Sequence, residues 1–129
     1  MRVLVDSSVW IDYLRAGRRE VEVESLLDDG RIVINDLILA ELVPALRVKR
    51  QTRLIDLLHE LEQEPMLPDW EELIRMQIAC LRDGLNGIGI PDLLIAQNAM
   101  QHGFELMTRD GHFVRLARHV PLQLHCSAH

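Results

Sequence analysis

Apolar residues along this chain fall into two patterns: short unbroken runs, and longer stretches with helical spacing. Residues 2–5 (RVLV), 31–34 (RIVI) and 104–107 (FELM) have the length and composition of buried strands. Leu122-Gln123-Leu124 adds a last short one. Between them the period changes. Val9, Trp10, Tyr13 and Leu14 share one face of a helix that begins after Asp6-Ser7-Ser8 and ends at Gly17. A second helix is expected near 18–28, closed by Asp29-Gly30. A third is expected over 36–48, capped by Asn35 or Asp36 and kinked or bounded by Pro44. Leu54, Leu57, Leu58 and Leu61 predict a helix within 51–62. After Pro65 and Pro68, Asp69 caps another that carries Trp70, Leu73, Ile74, Ile78 and Leu81. Residues 84–91 (GLNGIGIP) are expected as a loop, with Asp92 opening a buried helix over 92–102 and a helical turn near 112–118.

Short strands alternating with helices predict an α/β fold, a parallel sheet with helices on both faces. The 129 residues fit one domain spanning 1–129. Aromatics are only 4% of a chain that is 48% hydrophobic, so Leu, Ile and Val must carry the core. No apolar run approaches the roughly 20 residues needed to cross a bilayer. Asp6 interrupts the first apolar run at once, which predicts no secretory leader. Cys80 and Cys126 lack a CxxC spacing, and two cysteines are too few for a disulfide framework, so a cytoplasmic location is expected.

The formal charge of −6 argues against a protein that coats nucleic acid nonspecifically. Two basic patches stand against that background: Arg15, Arg18 and Arg19, then Arg47, Lys49, Arg50 and Arg53. Taken singly, each reads as a solvated helix face.

The candidate chemistry lies in four acids. Asp6 and Asp110 each follow a predicted strand, and open parallel sheets bind ligands beyond the carboxyl ends of their strands. Glu41 lies one to two turns into the helix after the second strand, among Leu37, Ile38, Ala40, Leu42 and Val43. Asp92 follows the glycine-rich loop. Singly, Asp6, Asp92 and Asp110 are also good helix or turn caps, and Glu41 an ordinary helix residue. Together they form a group that like-charge repulsion would not tolerate without compensation. Mg²⁺ accepts hard oxygen ligands, and paired ions activate water for phosphodiester cleavage.

Four segments carry a resemblance. Val5-Asp6-Ser7-Ser8-Val9-Trp10-Ile11, Leu39-Ala40-Glu41-Leu42, Ile90-Pro91-Asp92-Leu93-Leu94-Ile95-Ala96 and Leu106-Met107-Thr108-Arg109-Asp110-Gly111-His112-Phe113 resemble, in order and spacing, the motifs of PIN domains. They are similar in particular to the VapC toxins of type II toxin–antitoxin modules. The resemblance implies a PIN-like α/β/α sandwich with a parallel sheet of four or five short strands. It implies an endoribonuclease dependent on Mg²⁺ or Mn²⁺, with Asp6, Glu41, Asp92 and Asp110 as catalytic metal ligands supported by Ser8 and Thr108. It further implies an RNA substrate, homodimers, and a cognate antitoxin that docks along hydrophobic grooves and blocks the site. The chain departs from many relatives at His112, where they carry an acid; His112 is expected as a partly exposed turn residue. Two alternatives stay open: a PIN nuclease of RNA processing that has no antitoxin, and a catalytically silent PIN binding module.

Other constellations are weaker. No GxSxG surrounds Ser7 or Ser8, His59-Glu60 lacks the second histidine of HExxH, and His125, Cys126 and His129 form only a terminal zinc candidate.

Overall fold

The computed structural model of the chain describes residues 1–17 and 20–125. Its elements follow in the order β1 (Val3–Val5), α1 (Ser7–Arg15), α2 (Val21–Asp28), β2 (Ile32–Ile34), α3 (Asp36–Val48) and α4 (Thr52–Glu60). Then come β3 (Glu62–Gln63), α5 (Trp70–Arg82), α6 (Ile90–His102), β4 (Glu105–Met107), α7 (Gly111–Leu116) and β5 (Gln123–Leu124). The five strands form one sheet in the order β3-β2-β1-β4-β5. Every pairing is parallel.

Successive side chains of a strand point to opposite faces. Val3, Leu4 and Val5 are all fully buried, as are Val33 and Ile34, so both faces of the central strands are covered. Strands this short gain little from their own ladders; burial of aliphatic area, at roughly 25 cal/mol per Å², is what holds them. Packed on the sheet, Val9, Trp10, Ile38, Leu58, Leu93, Ile95 and Phe113 join the same core. Cys80 is buried there too as a free thiol, its pKa raised by burial and then by the Asp83 charge.

The strands and most helices lie where the hydrophobic pattern predicts them, with three differences. First, the helix expected to reach residue 62 stops at Glu60, and Glu62–Gln63 pair with Val33 and Ile34 as an edge strand. Gln63 folds its amide back to the Leu58 and Leu61 carbonyls, closing the end of α4. Second, α3 runs from Asp36 to Val48 straight through Pro44. The carbonyl that loses its partner belongs to Ala40, which is exposed, so water can satisfy it. Third, α6 begins at Ile90 rather than Asp92; Gly89 is its N-cap and Pro91 sits in its first turn, where a missing N–H costs nothing.

That buried helix is less apolar than its pattern suggested. Gln97 and Asn98 are both buried and both satisfied: Gln97 binds Glu72 and the backbone of Asp69, and Asn98 binds Asn35 and the Pro65 carbonyl. Asn35 is also the N-cap of α3, accepting from the Ile38 N–H at 2.9 Å. One amide pair therefore fixes the start of α3 against the middle of α6. No helix among the described residues is long and apolar enough to cross a membrane.

Candidate functional site

Crossing from β3 to β4, the chain passes from one side of β1 to the other, so β1 and β4 flank the point where strand order reverses. Crevices at such points are where parallel sheets bind ligands. Asp6 directly follows β1 and Asp110 lies just past β4.

Asp6 is buried and held from three directions. Its Oδ1 accepts the Ser7 backbone N–H at 2.7 Å as the N-cap of α1. Its Oδ2 accepts the hydroxyls of Ser8 at 2.8 Å and Thr108 at 2.9 Å. The two hydroxyls are themselves fixed from the β4 side: Arg109 donates its backbone N–H to Ser8 Oγ, and Asp110 donates its own to Thr108 Oγ1, both at 3.0 Å. Asp110 is the N-cap of α7, accepting from the His112 N–H at 2.9 Å. Ser8 and Thr108, the two small polar residues the resemblance singled out, thus both donate to Asp6.

Glu41 and Asp92 come in from helices. Glu41 sits on the exposed side of α3, yet partial loss of hydration raises its pKa, followed by the charges of Asp6 and then Asp92; a Ser7 hydrogen bond opposes the shift. Asp92 lies in the first turn of α6, three residues after the cap, and its carboxylate accepts the Gly89 N–H. Its pKa is also raised, first by burial, then by the charges of Asp110 and Asp6, against the opposing Gly89 bond and His112. Each of the four carboxylates therefore feels at least one other, and Asp92 couples to both the Asp6 and the Asp110 end. The four acids are thus linked by pairwise charge effects, Glu41 to Asp6 and Asp92, and Asp92 to Asp6 and Asp110.

His112 is partly exposed, as expected, and it also stands in the first turn of α7 with Nδ1 3.3 Å from Asp110 Oδ1. Asp92, Asp110 and His112 each offer one ligand atom, and these three atoms lie within 4.8 Å of one another. Only tertiary packing brings residues 92 and 112 together, so spacing alone held no signal for it. Arg109 was missed as well: its guanidinium meets Glu20 and, at 3.6 Å, Asp12, which ties α1 and the start of α2 to the loop carrying Asp110.

The donor set suits a hard divalent cation. Four carboxylates in mutual repulsion, two of them with raised pKa values, are relieved by positive charge, and carboxylate oxygens are what Mg²⁺ and Mn²⁺ accept. Hydrogen bonds engage both oxygens of Asp6, Oδ2 through the two hydroxyls and Oδ1 through Ser7, and so fix the orientation of its carboxylate.

Beside the acids runs a cleft of about 210 Å³ between α1, α3 and α4. Trp10, Leu14, Leu46 and Leu54 give it an apolar lining, to which Arg15, Lys49 and Glu41 also contribute. Each basic patch so lends one member to this cleft; Arg47, Arg50 and Arg53 are exposed, and Arg18 and Arg19 lie outside the described residues. A larger hollow of about 380 Å³, lined by residues such as Glu72, Met76, Met100 and His119, contains none of the four acids. Of the terminal zinc candidate, His125 is engaged by Glu22 at 3.2 Å and Glu105 at 2.9 Å, and Cys126 and His129 lie outside the described residues. On α5, Trp70, Ile74, Ile78 and Leu81 are exposed on the surface, with Ile90 nearby.

Comparison with known proteins agrees with this geometry. The family model of the PIN domain matches residues 3–119. Ribonuclease VapC32 of Mycobacterium tuberculosis is 33% identical over 109 residues, covering 84% of each chain. Ribonuclease VapC11 of the same species is 33% identical over 129 residues, covering 94% of this chain and 96% of its own. Among solved structures, the DNA-bound VapBC of Salmonella typhimurium superposes with a TM-score of 0.76 at 17% identity, over 97% of both chains, and so shares the α/β/α fold. From the sheet, the order of the four acidic segments and these likenesses together, the chain belongs to the PIN-domain family, and within it to the VapC ribonucleases.

Proposed function

We propose that this protein is the endoribonuclease toxin of a toxin–antitoxin module, with Asp6, Glu41, Asp92 and Asp110 as the ligands of Mg²⁺ or Mn²⁺. The observation that carries the reading is the electrostatic chain through the four acids, which leaves Glu41 and Asp92 with raised pKa values. Such a cluster is unfavourable by itself and favourable around cations. Divalent ions bound there would activate a water and stabilise the leaving oxygen of an RNA phosphodiester. The chain's own part is positional. Ser8 and Thr108 hold Asp6 in one rotamer, the Gly89 N–H orients Asp92, and the cap of α7 orients Asp110.

Two partners belong to this reading. The apolar cleft with Arg15 and Lys49 on its lining suits an antitoxin segment laid beside Glu41, where it would also obstruct the acids. The exposed α5 residues Trp70, Ile74, Ile78 and Leu81 recur at helical spacing and suit a second copy of the chain. We place its action in the cytoplasm, whose reducing conditions keep Cys80 a thiol. The test is expression of the wild type beside Asp6→Asn and Asp92→Asn, with sequencing of cleaved RNA ends and a parallel digestion in EDTA. Growth arrest and defined cuts are expected for the wild type alone, and none in EDTA. Equal toxicity of all three, or cutting that survives EDTA, overturns the reading.

A further inference from the structure

His112 brings an imidazole to a pocket otherwise built from carboxylates. Its ring is restrained on both sides. Nδ1 faces Asp110 Oδ1 at 3.3 Å, while a Cβ placed on Gly87 would touch Nε2 at 3.7 Å, so the loop before α6 passes directly beside the ring. Gly87 has φ +104, a conformation that favours glycine, so the loop reaches the ring with no side chain between them. The three potential ligand atoms of Asp92, Asp110 and His112 lie within 4.8 Å of one another, the span of a single ion's coordination shell.

We infer that His112 is a metal ligand that makes the Asp92–Asp110 end of the pocket select a first-row transition ion over Mg²⁺. The inference rests on the metal-dependent reading above and goes beyond it by assigning the two ends different ions. The Asp6–Glu41–Asp92 end offers oxygen alone, and oxygen suits Mg²⁺ and Mn²⁺ alike. At the other end an imidazole takes the place of a third carboxylate. That change removes one negative charge, the main attraction for a hard ion such as Mg²⁺. It adds a nitrogen donor, which first-row transition ions accept and Mg²⁺ takes poorly. Asp92 is coupled to Asp6 as well as to Asp110, so it is the carboxylate the two ends share.

The test uses the whole protein, with Mn²⁺ and Mg²⁺ as probes. Pulsed EPR of bound Mn²⁺ reads a directly coordinated nitrogen, and calorimetric titration gives both affinities for the wild type, His112→Ala and His112→Asp. The wild type should show the nitrogen coupling. His112→Ala should lose it and bind Mn²⁺ about tenfold more weakly or worse, with Mg²⁺ affinity changed by less than about threefold. His112→Asp should bind both ions, without the coupling and with its preference for Mn²⁺ reduced about tenfold. Thermal melts without metal check that the variants fold; the half-buried ring leaves His112→Asp as the second probe if the alanine variant does not. A wild type that binds Mn²⁺ and cuts RNA with no nitrogen coupling overturns this inference alone, as does an equal loss of both ions in His112→Ala. A wild type that binds neither ion, or cuts in EDTA, overturns the metal-dependent reading and this inference with it.

Discussion

Replacing Asp92 by Asn should stabilise the metal-free protein and make it indifferent to metal. Ligand atoms of Asp92 and Asp110 lie within 4.8 Å of each other. Two unit charges at that separation repel by about 3.5 kcal/mol at an effective dielectric near 20 and by about 1 kcal/mol in bulk water. Both side chains are half-buried, so the true figure falls between. Asn keeps an oxygen for the Gly89 N–H but gives up the charge in that bond and the attraction to His112, a loss of about 1 kcal/mol. The net gain for Asp92→Asn in EDTA is therefore about 1 kcal/mol, or about 4 °C in Tm for a chain of this size. Mg²⁺ or Mn²⁺ at a hundred times Kd should add about 2.7 kcal/mol to the wild type and little to the variant, reversing their order. Differential scanning calorimetry with and without metal measures all four states.

The pH dependence of this difference follows from the same charges. Burial and then the Asp110 and Asp6 charges lift the Asp92 pKa above its ordinary 3.8, so the folded state favours the protonated acid. That contribution is complete below 3.8 and disappears as pH climbs through the raised value. In EDTA the two proteins should be about equally stable below pH 3.8, and the wild type should fall behind as the solution approaches neutrality. An Asp92→Asn protein that is less stable than the wild type in EDTA at neutral pH, or that gains as much from metal, would refute the electrostatic argument.

Thr108→Val removes the hydroxyl that donates to Asp6 and accepts from the Asp110 N–H; it should cost about 1–3 kcal/mol in urea unfolding with an unchanged m value. Its Mn²⁺ affinity should fall as well, because Asp6 and Asp110 lose their common tether, and an unchanged affinity would dispense with Thr108 as a positioning residue. Pro44→Ala restores a helical hydrogen bond at an exposed position of α3 and should stabilise by about 1–2 kcal/mol after allowing for the freer unfolded chain. A loss of stability there would mean that the proline ring packs against something the helix needs.

How much of this could be read from the residues depended on whether the signal was local. β1, β2 and β4 were legible because each is an unbroken apolar run, and α5 because Asp69 announces its start. β3 had no such signal. Glu62 and Gln63 are exposed polar residues, and what makes them a strand is the open edge of β2 beside them. At α6 the signal existed and was outweighed: Pro91 is at home in a first turn, but the neighbouring glycines read as loop. Asp6 and Asp110 stood out by their places after strands, and Glu41 and Asp92 joined them through the family's motifs. Their couplings, and the presence of His112 among them, depend on how the starts of α6 and α7 lie together, and no one-dimensional spacing records that.

Asp6 and Asp110 each serve as the N-cap of the helix that follows them. The carboxylates are consequently aimed by the act of folding α1 and α7, before any ion arrives. On the metal-dependent reading proposed above, the rotamer freedom that a loose ligand would surrender on coordination has already been given up, and an incoming cation would meet carboxylates that need no further ordering. Substitutions carry the mark of this economy. Asn can still close the helix and removes only the charge, whereas Ala loosens a helix end as well, by about 1 kcal/mol, and confuses a missing ligand with a frayed turn.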